Sequence, residues 1–290
     1  MLFLNGELVE VRQFPNGESY IDIEIEEDSL SSLFNMYGGL ESSQIIKMKY
    51  ESDSDLMGLV YLTDYLKDLG KEVELVMPYI PYSRMDRKEG KRLFTLKSLC
   101  KLINSLCFKS VTVCEPHSDV SVGLLDRVKV ENTTYKLTIK KMYELADKEY
   151  KYIQDLYKEM NEKGVFLVYP DAGASKRYSK QFNYPNVIEC NKERDFESGR
   201  IKKLTLNSNS DFSECKVAII VDDLCSKGGT FLMTAKALRE KGIEEIYLVV
   251  THCENTIFEG ELLTTDYIKE IITTDSILTG VHEKIIKTLL

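Results

Sequence analysis

The sequence lacks the features that would place a protein in a membrane or outside the cell. No apolar run approaches the ~18 residues that a membrane-spanning helix needs, and the strongly apolar stretches, such as Val217–Val221, are only as long as a strand. The start of the chain, Met1–Val11, has no basic region and no long apolar segment, so a signal peptide is not expected. These absences predict a cytoplasmic protein that does not act on membranes.

Basic residues are scarce relative to acidic ones. The 38 lysines and arginines stand against 47 aspartates and glutamates, which gives a formal net charge of -9. This balance argues against a protein that binds nucleic acid through a basic surface, whereas a small anionic ligand needs only a local basic site. The 43% hydrophobic and 29% charged residues are typical of a soluble globular protein.

The cysteines do not form a recognisable framework. Seven are scattered along the 290 residues, so we predict free thiols in a reducing compartment. Cys114 and His117 have a spacing found in metal sites, but no second pair completes the set. A zinc site is therefore not expected.

The main structural signal is a helix, a glycine and an apolar strand that follow one another in both halves of the chain. A helix predicted over Ser54–Gly70 precedes a strand over Val73–Met77, and a helix over Thr230–Gly242 precedes a strand over Ile246–Val250. Because this order is typical of βαβ units, we predict an α/β protein with two similar domains, residues 1–140 and 141–290. Each domain would be a mainly parallel sheet flanked by helices.

Other segments agree with an α/β chain. The stretch Leu137–Lys163 is long, charged and helical in period, and Asn207–Glu214 is a polar segment that predicts a loop. Further strands are predicted over Ile45–Tyr50, Ser110–Cys114, Val165–Tyr169, Val187–Cys190 and Lys216–Val221.

The segment Val217–Thr230 carries the clearest chemical signal. An apolar strand ends in Asp222 and Asp223, a loop of small residues follows, and Thr230 opens a helix. In an open α/β sheet, ligands bind beyond the carboxyl ends of the strands, and backbone N–H groups of such a loop bind phosphate well. The two carboxylates would hold ribose hydroxyls or a divalent cation. The alternative is a turn with a solvated acidic pair.

This segment resembles the phosphoribosyl-pyrophosphate binding motif of type I phosphoribosyltransferases and, more closely, that of ribose-phosphate pyrophosphokinases. Additional segments that resemble the second family occur in the same order along the chain, from about residue 14 to residue 280. They are Phe14–Glu18, Pro78–Lys88, Glu115–His117, Pro170–Gly173 with Lys176–Arg177, Lys192–Arg194 and Thr251–His252.

The resemblance implies Mg²⁺-dependent transfer of diphosphate from ATP to the anomeric hydroxyl of ribose 5-phosphate. It implies that Lys192 and Arg194 are catalytic, and two cations suit the negative charge that develops during phosphoryl transfer. It also implies a metal site at His117 and Asp171, although imidazole is not a preferred Mg²⁺ ligand. The implied ATP-binding residues are Phe14, Asn16, Glu18, Arg84, Asp86 and Arg87, and the implied ribose-phosphate residues are Asp222, Asp223, Ser226, Lys227, Gly228, Gly229 and Thr230.

In that family, the loop that corresponds to Phe14–Glu18 reaches ATP across a subunit interface. The resemblance therefore implies a homodimer or a larger homo-oligomer. The resemblance also implies two small-molecule partners, ATP and the ribose-phosphate acceptor, and no nucleic-acid partner.

The chain departs from the family at four places. Its phosphate loop reads Ser226-Lys227-Gly228-Gly229-Thr230 where the family has Asp-Thr-Gly-Gly-Thr, so an acid is lost and a cation gained. Met85 stands where a glutamine is expected. The interval between His117 and Asp171 is longer, and the tail after Ser276 is short, so the family's allosteric site is not expected.

Three alternative functions stay open. The altered loop is compatible with ADP-ribose as acceptor, which would give ADP-ribose 1-diphosphate for rebuilding NAD⁺. An inactive regulatory relative of the synthetase is a second possibility, although Lys192, Arg194, His117 and Asp171 are all present. An ordinary phosphoribosyltransferase would explain Asp222–Thr230 but not the other segments.

Overall fold

The computed structural model describes residues 1–23, 43–194 and 201–290, without the side chains of residues 193, 194 and 201–203. The described chain divides into two compact units, Met1–Glu131 and Asn132–Leu290. Residue 140, where the sequence placed the domain boundary, lies within the first helix of the second unit, Thr133–Ala146.

The first unit is built on a six-stranded sheet. Its order is β2-β1-β5-β6-β7-β8, in which β5 to β8 are parallel and β1 is antiparallel to both of its neighbours. A separate antiparallel hairpin, β3-β4, precedes β5. The strands are β1 Leu2–Leu4, β2 Glu7–Val9, β3 Val11–Gln13, β4 Ser19–Ile21, β5 Gln44–Met48, β6 Val73–Met77, β7 Val111–Cys114 and β8 Val128–Glu131.

Helices cover this sheet because their apolar stripes match its buried side chains. Helix α1 (Asp53–Asp68) begins with a capping box between Ser52 and Asp55 and ends before Gly70, whose φ of 72° suits the turn into β6. Leu59 and Leu62 of α1 are fully buried in the same cluster as the strand residues. The other described helices of this unit are α2 Thr95–Ser105 and α3 Asp119–Leu124.

The second unit contains a seven-stranded sheet of order β11-β10-β9-β12-β13-β14-β15. All neighbours are parallel except the antiparallel pair β10-β11. The strands are β9 Val165–Tyr169, β10 Val187–Arg194, β11 Ile201–Ser208, β12 Val217–Cys225, β13 Glu245–Cys253, β14 Glu270–Thr274 and β15 Ile285–Thr288, and the helices are α4 Thr133–Ala146, α5 Ile153–Glu162, α6 Ala172–Phe182 and α7 Gly229–Glu240.

The central strands of this sheet are buried on both faces. Every residue of β9 is buried, as expected for a parallel strand with helices on either side. Phe231 and Leu238 of α7 pack in the cluster on one face, whereas Leu137 of α4 and Tyr178 of α6 pack in the cluster on the other. The predicted fold class, mainly parallel sheets flanked by helices, is confirmed.

Two local predictions need correction. The stretch Leu137–Lys163 is not one helical element, because Asp147 takes a left-handed conformation (φ 57°) that ends α4, and α5 starts at Ile153. The polar segment Asn207–Glu214 is not wholly a loop, since β11 runs to Ser208 and a 3₁₀ turn covers Phe212–Glu214. The short tail adds β15 to the edge of the second sheet.

The structure also bears on the cysteines and the membrane. All seven cysteines are free thiols, and Cys107 alone among them is exposed. Within the described ranges, no helix is both long and apolar enough to cross a bilayer. The same residues contain no group of three or more histidine, cysteine or acidic side chains arranged to hold a metal ion.

Candidate active site

A phosphate loop, residues 226–230, connects β12 to α7 at the carboxyl edge of the second sheet. Gly228 caps α7 with φ 80°, a conformation that L side chains rarely adopt. A Cβ atom at this position would also lie 2.6 Å from Cδ2 of Leu262. Gly229 and Thr230 form the first turn of α7, where backbone N–H groups have no partner within the helix and are available to an anion.

The strand does not end at its two carboxylates as the sequence predicts, because β12 continues to Cys225. Asp222 and Asp223 lie within its last four residues and have different surroundings. The N–H of Asp223 donates to Oδ1 of Asp222 at 2.9 Å, and Arg177 Nη1 of α6 lies 3.6 Å from Oδ2 of Asp223. Burial raises the pKa of Asp222 well above its ordinary range, and the charges of Asp223 and Asp171 raise it further. This end of the strand therefore has an excess of negative charge that a cation or a hydrogen-bond donor would relieve.

Asp171 and Lys192 form an ion pair within the same unit. Asp171 is the N-cap of α6, and its Oδ1 accepts from the N–H groups of Gly173 at 3.0 Å and Ala174 at 3.1 Å. Its Oδ2 lies 3.0 Å from Nζ of Lys192, whose side chain is only 7% exposed. Burial alone would raise the pKa of Asp171, but the hydrogen bonds from Ala174 and Lys192 outweigh it and lower that pKa.

Strands β10, β9 and β12 are neighbours in the sheet, so Lys192, Asp171 (which follows β9) and Asp222 lie close together, and the charge of Asp171 contributes to the raised pKa of Asp222. Arg194 ends β10 on the same strand as Lys192, after a register shift between Glu193 and Arg194. The side chain of Arg194 lies outside the described part of the chain. Its predicted catalytic role stays a prediction.

Contacts of the phosphate loop involve residues that the sequence did not single out. Nζ of Lys227 lies 2.7 Å from Oε2 of Glu259, and Ser226 Oγ lies 3.1 Å from Thr256 Oγ1. Arg177 was visible in the sequence only as part of the Lys-Arg pair after Pro170–Gly173. No sequence signal joins Thr256 and Glu259 to the loop, because they lie about thirty residues away.

In the first unit, Phe14, Asn16 and Glu18 lie at the exposed tip of the β3-β4 hairpin. The ring of Phe14 is 51% exposed and stacks on Tyr20 with centroids 4.4 Å apart. The N–H of Glu18 donates to Oδ1 of Asn16 at 3.1 Å, and Gly17 makes the turn with φ 88°. An aromatic face and two polar side chains are therefore displayed on a short, ordered loop.

A second group in the first unit follows β6 and β7. Asp86 is buried and accepts from Nε of Arg87 at 3.0 Å, while Arg84, Arg87 and His117 are exposed. Burial would raise the pKa of Asp86, but hydrogen bonds from Ser118 and Arg87 and the charge of His117 lower it overall. The ends of two neighbouring strands thus gather cations around one buried carboxylate.

The predicted metal residues belong to different units, His117 to the first and Asp171 to the second. Mg²⁺ commonly uses one or two carboxylates and takes its remaining oxygens from substrate phosphates and water. Asp171, whose lowered pKa keeps it ionised, and the half-buried Asp222 are oxygen donors of this kind. The residues of the second unit therefore fit a Mg²⁺ ion that arrives with a nucleotide.

Family models match two parts of the chain. Residues 4–106 match the N-terminal domain of ribose phosphate pyrophosphokinase, and residues 197–289 match the phosphoribosyl synthetase-associated domain.

Individual proteins are similar over almost the whole chain. A ribose-phosphate pyrophosphokinase of Sulfurisphaera tokodaii is 29% identical over 280 residues, which cover 93% of this chain and 84% of that protein. Another, from Pyrococcus abyssi, is 26% identical over 282 residues, 95% of this chain and 86% of that protein. The crystal structure of phosphoribosylpyrophosphate synthetase from Mycobacterium smegmatis matches with a TM-score of 0.68 at 17% identity, over 97% of this chain and 86% of that one, and so agrees in fold.

Proposed function

Because this chain belongs to the ribose-phosphate pyrophosphokinase family, we propose that it transfers diphosphate from Mg-ATP to the anomeric hydroxyl of ribose 5-phosphate. The hydroxyl oxygen attacks the β-phosphorus of ATP and releases its proton to solvent, and the bond between the β-phosphorus and the oxygen bridging to the α-phosphate breaks. The products are AMP and 5-phosphoribosyl 1-diphosphate. The observation that carries this proposal is the joining of Asp222 with the Asp171–Lys192 pair next to the phosphate loop.

The residues of the second unit bind the acceptor. The phosphate loop, Ser226, Lys227, Gly228, Gly229 and Thr230, receives the 5-phosphate on backbone N–H groups and on the Lys227 cation. Asp222 and Asp223 accept hydrogen bonds from the ribose hydroxyls, which places the anomeric oxygen. Hydrogen bonds donated by these hydroxyls stabilise the carboxylate of Asp222, whose pKa is raised mainly by burial.

Lys192 stabilises the diphosphate as it is transferred. Its ammonium group is held by Asp171 at 3.0 Å and is largely shielded from water, so it interacts strongly with phosphate oxygens. Arg194 supplies a second cation. Asp171 would hold a Mg²⁺ ion in the second unit, and the ion would neutralise phosphate charge when bound. His117, in the first unit, stays a predicted metal ligand from the family resemblance.

The first unit binds ATP in this proposal. Arg84 and Arg87 are exposed guanidinium groups able to grip phosphate oxygens, and Asp86 orients Arg87 through their 3.0 Å contact. Phe14 stacks on adenine, with Asn16 and Glu18 beside it. If this loop serves a neighbouring subunit, the active form is a homodimer or larger homo-oligomer, and we place it in the cytoplasm.

ADP-ribose is a second candidate acceptor. Lys227 is 62% exposed at the phosphate loop, so the loop is open to a 5-phosphate that is linked to a further group. ADP-ribose has the same free anomeric hydroxyl and would give ADP-ribose 1-diphosphate by the same reaction. An inactive regulatory relative or an ordinary phosphoribosyltransferase would show no AMP release with either acceptor.

The test is AMP release from Mg-ATP with ribose 5-phosphate or ADP-ribose supplied separately. Ribose 5-phosphate should support turnover, and Lys192→Ala should reduce kcat by roughly 10²–10³-fold, the usual effect of removing one transition-state donor. Lys180→Ala, an exposed lysine on α6, is the matched control and should keep the wild-type rate. Turnover with ADP-ribose alone would replace the first acceptor by the second, and no AMP with either would refute the reaction.

A further inference from the structure

The phosphate loop rests against one continuous segment, residues 254–262, which we call the loop wall. The N–H of Glu254 donates to the carbonyl of Cys225 at 2.8 Å, at the point where β12 enters the loop. A Cβ at Gly260 would collide with the carbonyl oxygen of Lys227, and Leu262 fills the space beside Gly228. Backbone and side chains of the wall therefore determine where the loop lies.

Two side-chain contacts join the wall to the variable positions of the loop. Ser226 Oγ and Thr256 Oγ1 are 3.1 Å apart, and Thr256 donates in turn to Oε2 of Glu254 at 3.0 Å. Glu259 Oε2 lies 2.7 Å from Nζ of Lys227. Ser226 and Lys227 are also the two loop residues that depart from the family's Asp-Thr.

The wall is itself anchored to the chain's tail. Oδ1 of Asn255 accepts from the N–H groups of Thr279 and Gly280, both at 3.1 Å, and its Nδ2 donates to Thr279 Oγ1 at 2.9 Å. Phe258 lies so close to Gly280 that a side chain there would clash with its ring. Glu259 is thus presented from a braced segment.

We infer that Glu259 is a specificity-determining residue that sets the charge offered by the phosphate loop to the acceptor's 5-phosphate. The inference rests on the proposed function of that loop. Glu259 cancels the charge of Lys227, so the pair adds no net positive charge beside the ligand. A 5-phosphate monoester carries up to two negative charges on the one phosphate that the loop holds, whereas a diphosphate bridge carries one on that phosphate and one on the second phosphate, farther from the loop. Because repulsion scales with ligand charge, Glu259 disfavours the monoester relative to a diphosphate-linked ribose.

The size of the effect follows from Coulomb's law. A carboxylate on the order of 6–8 Å from the phosphate, in solvent, changes affinity by roughly two- to threefold per unit of ligand charge. Glu259→Gln should therefore tighten ribose 5-phosphate by roughly five- to tenfold, and ADP-ribose by roughly two- to threefold. Below the second phosphate pKa of about 6, ribose 5-phosphate loses one negative charge. The increase in its affinity caused by Glu259→Gln should then fall to the increase expected for ADP-ribose.

Isothermal titration of the full chain with ribose 5-phosphate and with ADP-ribose, at pH 5.5 and pH 7.5, measures these affinities without ATP. Glu261→Gln is the matched control, because Glu261 is exposed and two residues away. Glu259→Lys is a second variant that should enlarge the gain at pH 7.5. KM values for the two acceptors should shift in the same ratio while kcat changes little.

The supporting result is tighter ribose 5-phosphate binding by Glu259→Gln at pH 7.5, a smaller gain at pH 5.5, and no gain in Glu261→Gln. If the wild type binds an acceptor but Glu259→Gln leaves both dissociation constants unchanged, or Glu261→Gln gives the same gain, the role of Glu259 is refuted and the proposed function stands. If the wild type binds neither acceptor, the proposed function fails and the inference fails with it.

Discussion

The ion pair between Asp171 and Lys192 leads to a prediction about stability. In Asp171→Asn, the amide oxygen can still accept the N–H bonds that start α6, because asparagine is as good an N-cap as aspartate. What is lost is the anion 3.0 Å from a lysine that is only 7% exposed. The substitution therefore isolates the cost of leaving that ammonium group without its partner.

The magnitude follows from burial on the two sides of the pair. Removing one partner of a fully buried pair costs about 3–5 kcal/mol. Here the Asp171 side chain is 42% exposed, so water screens the pair and reduces the cost to about 2 kcal/mol. At ~2–4 °C per kcal/mol for a unit of this size, Asp171→Asn should lower Tm by about 4–8 °C, measured by circular dichroism.

The dependence on pH has a definite sign. The folded-state pKa of Asp171 is lowered below its unfolded value of about 3.9, so the stability it contributes is present above pH 4 and is lost as pH falls through the folded pKa. The gap in Tm between wild type and Asp171→Asn should therefore stay constant from pH 8 to pH 5 and narrow below pH 4.

A double-mutant cycle completes the test. Lys192→Met removes the cation but fills its volume, and Asp171→Asn with Lys192→Met should recover most of the loss seen in Asp171→Asn alone. The coupling would then be about 1–2 kcal/mol. Additive losses in the double variant would show that the two side chains do not interact, and would refute the reasoning.

Two further predictions concern the phosphate loop and the strand that leads into it. The pKa of Asp222 is raised in the folded state, so the ligand-free protein should lose stability as pH rises through that pKa. Asp222→Asn should remove this pH dependence of stability, raise Tm at pH 7.5 and lower turnover of the acceptor. A pH profile of Tm that is the same in wild type and Asp222→Asn would contradict this. Gly228→Ala should destabilise by about 1–2 kcal/mol because φ is 80°, in addition to the clash with Leu262, and an unchanged Tm would contradict the geometry. Gly229→Ala, where a Cβ meets nothing within 4 Å, is its control for stability.

Long apolar strands could be predicted from the sequence, and short or polar strands could not. The predicted bounds of Val73–Met77 and Val165–Tyr169 agree with the observed strands, because an apolar strand between a helix and a polar turn has a strong local pattern. The three-residue strands β1 to β4 are too short for such a pattern. Strand β11 is not predicted, because the two adjacent lysines at residues 202 and 203 interrupt the alternation of apolar and polar residues, and the strand gains its partner only from the antiparallel pairing with β10.

The helical stretch Leu137–Lys163 shows a further limit. Residues 147–152 contain no glycine or proline, so no helix-breaking residue marks a break there in the sequence. The break depends on Asp147, one of the few residue types that tolerate a left-handed backbone at modest cost.

By itself, the sequence determined the α/β class and the resemblance to a family, because these depend on local periodicity and on contiguous motifs. Only the tertiary structure decided which charges meet. Lys192 lies against Asp171, Arg177 near Asp223, and Lys227 against Glu259. These partners are separated by many residues along the chain and come together at the sheet's carboxyl edge. Burial there raises the pKa of Asp222, whereas the hydrogen bonds from Ala174 and Lys192 outweigh burial at Asp171 and lower its pKa.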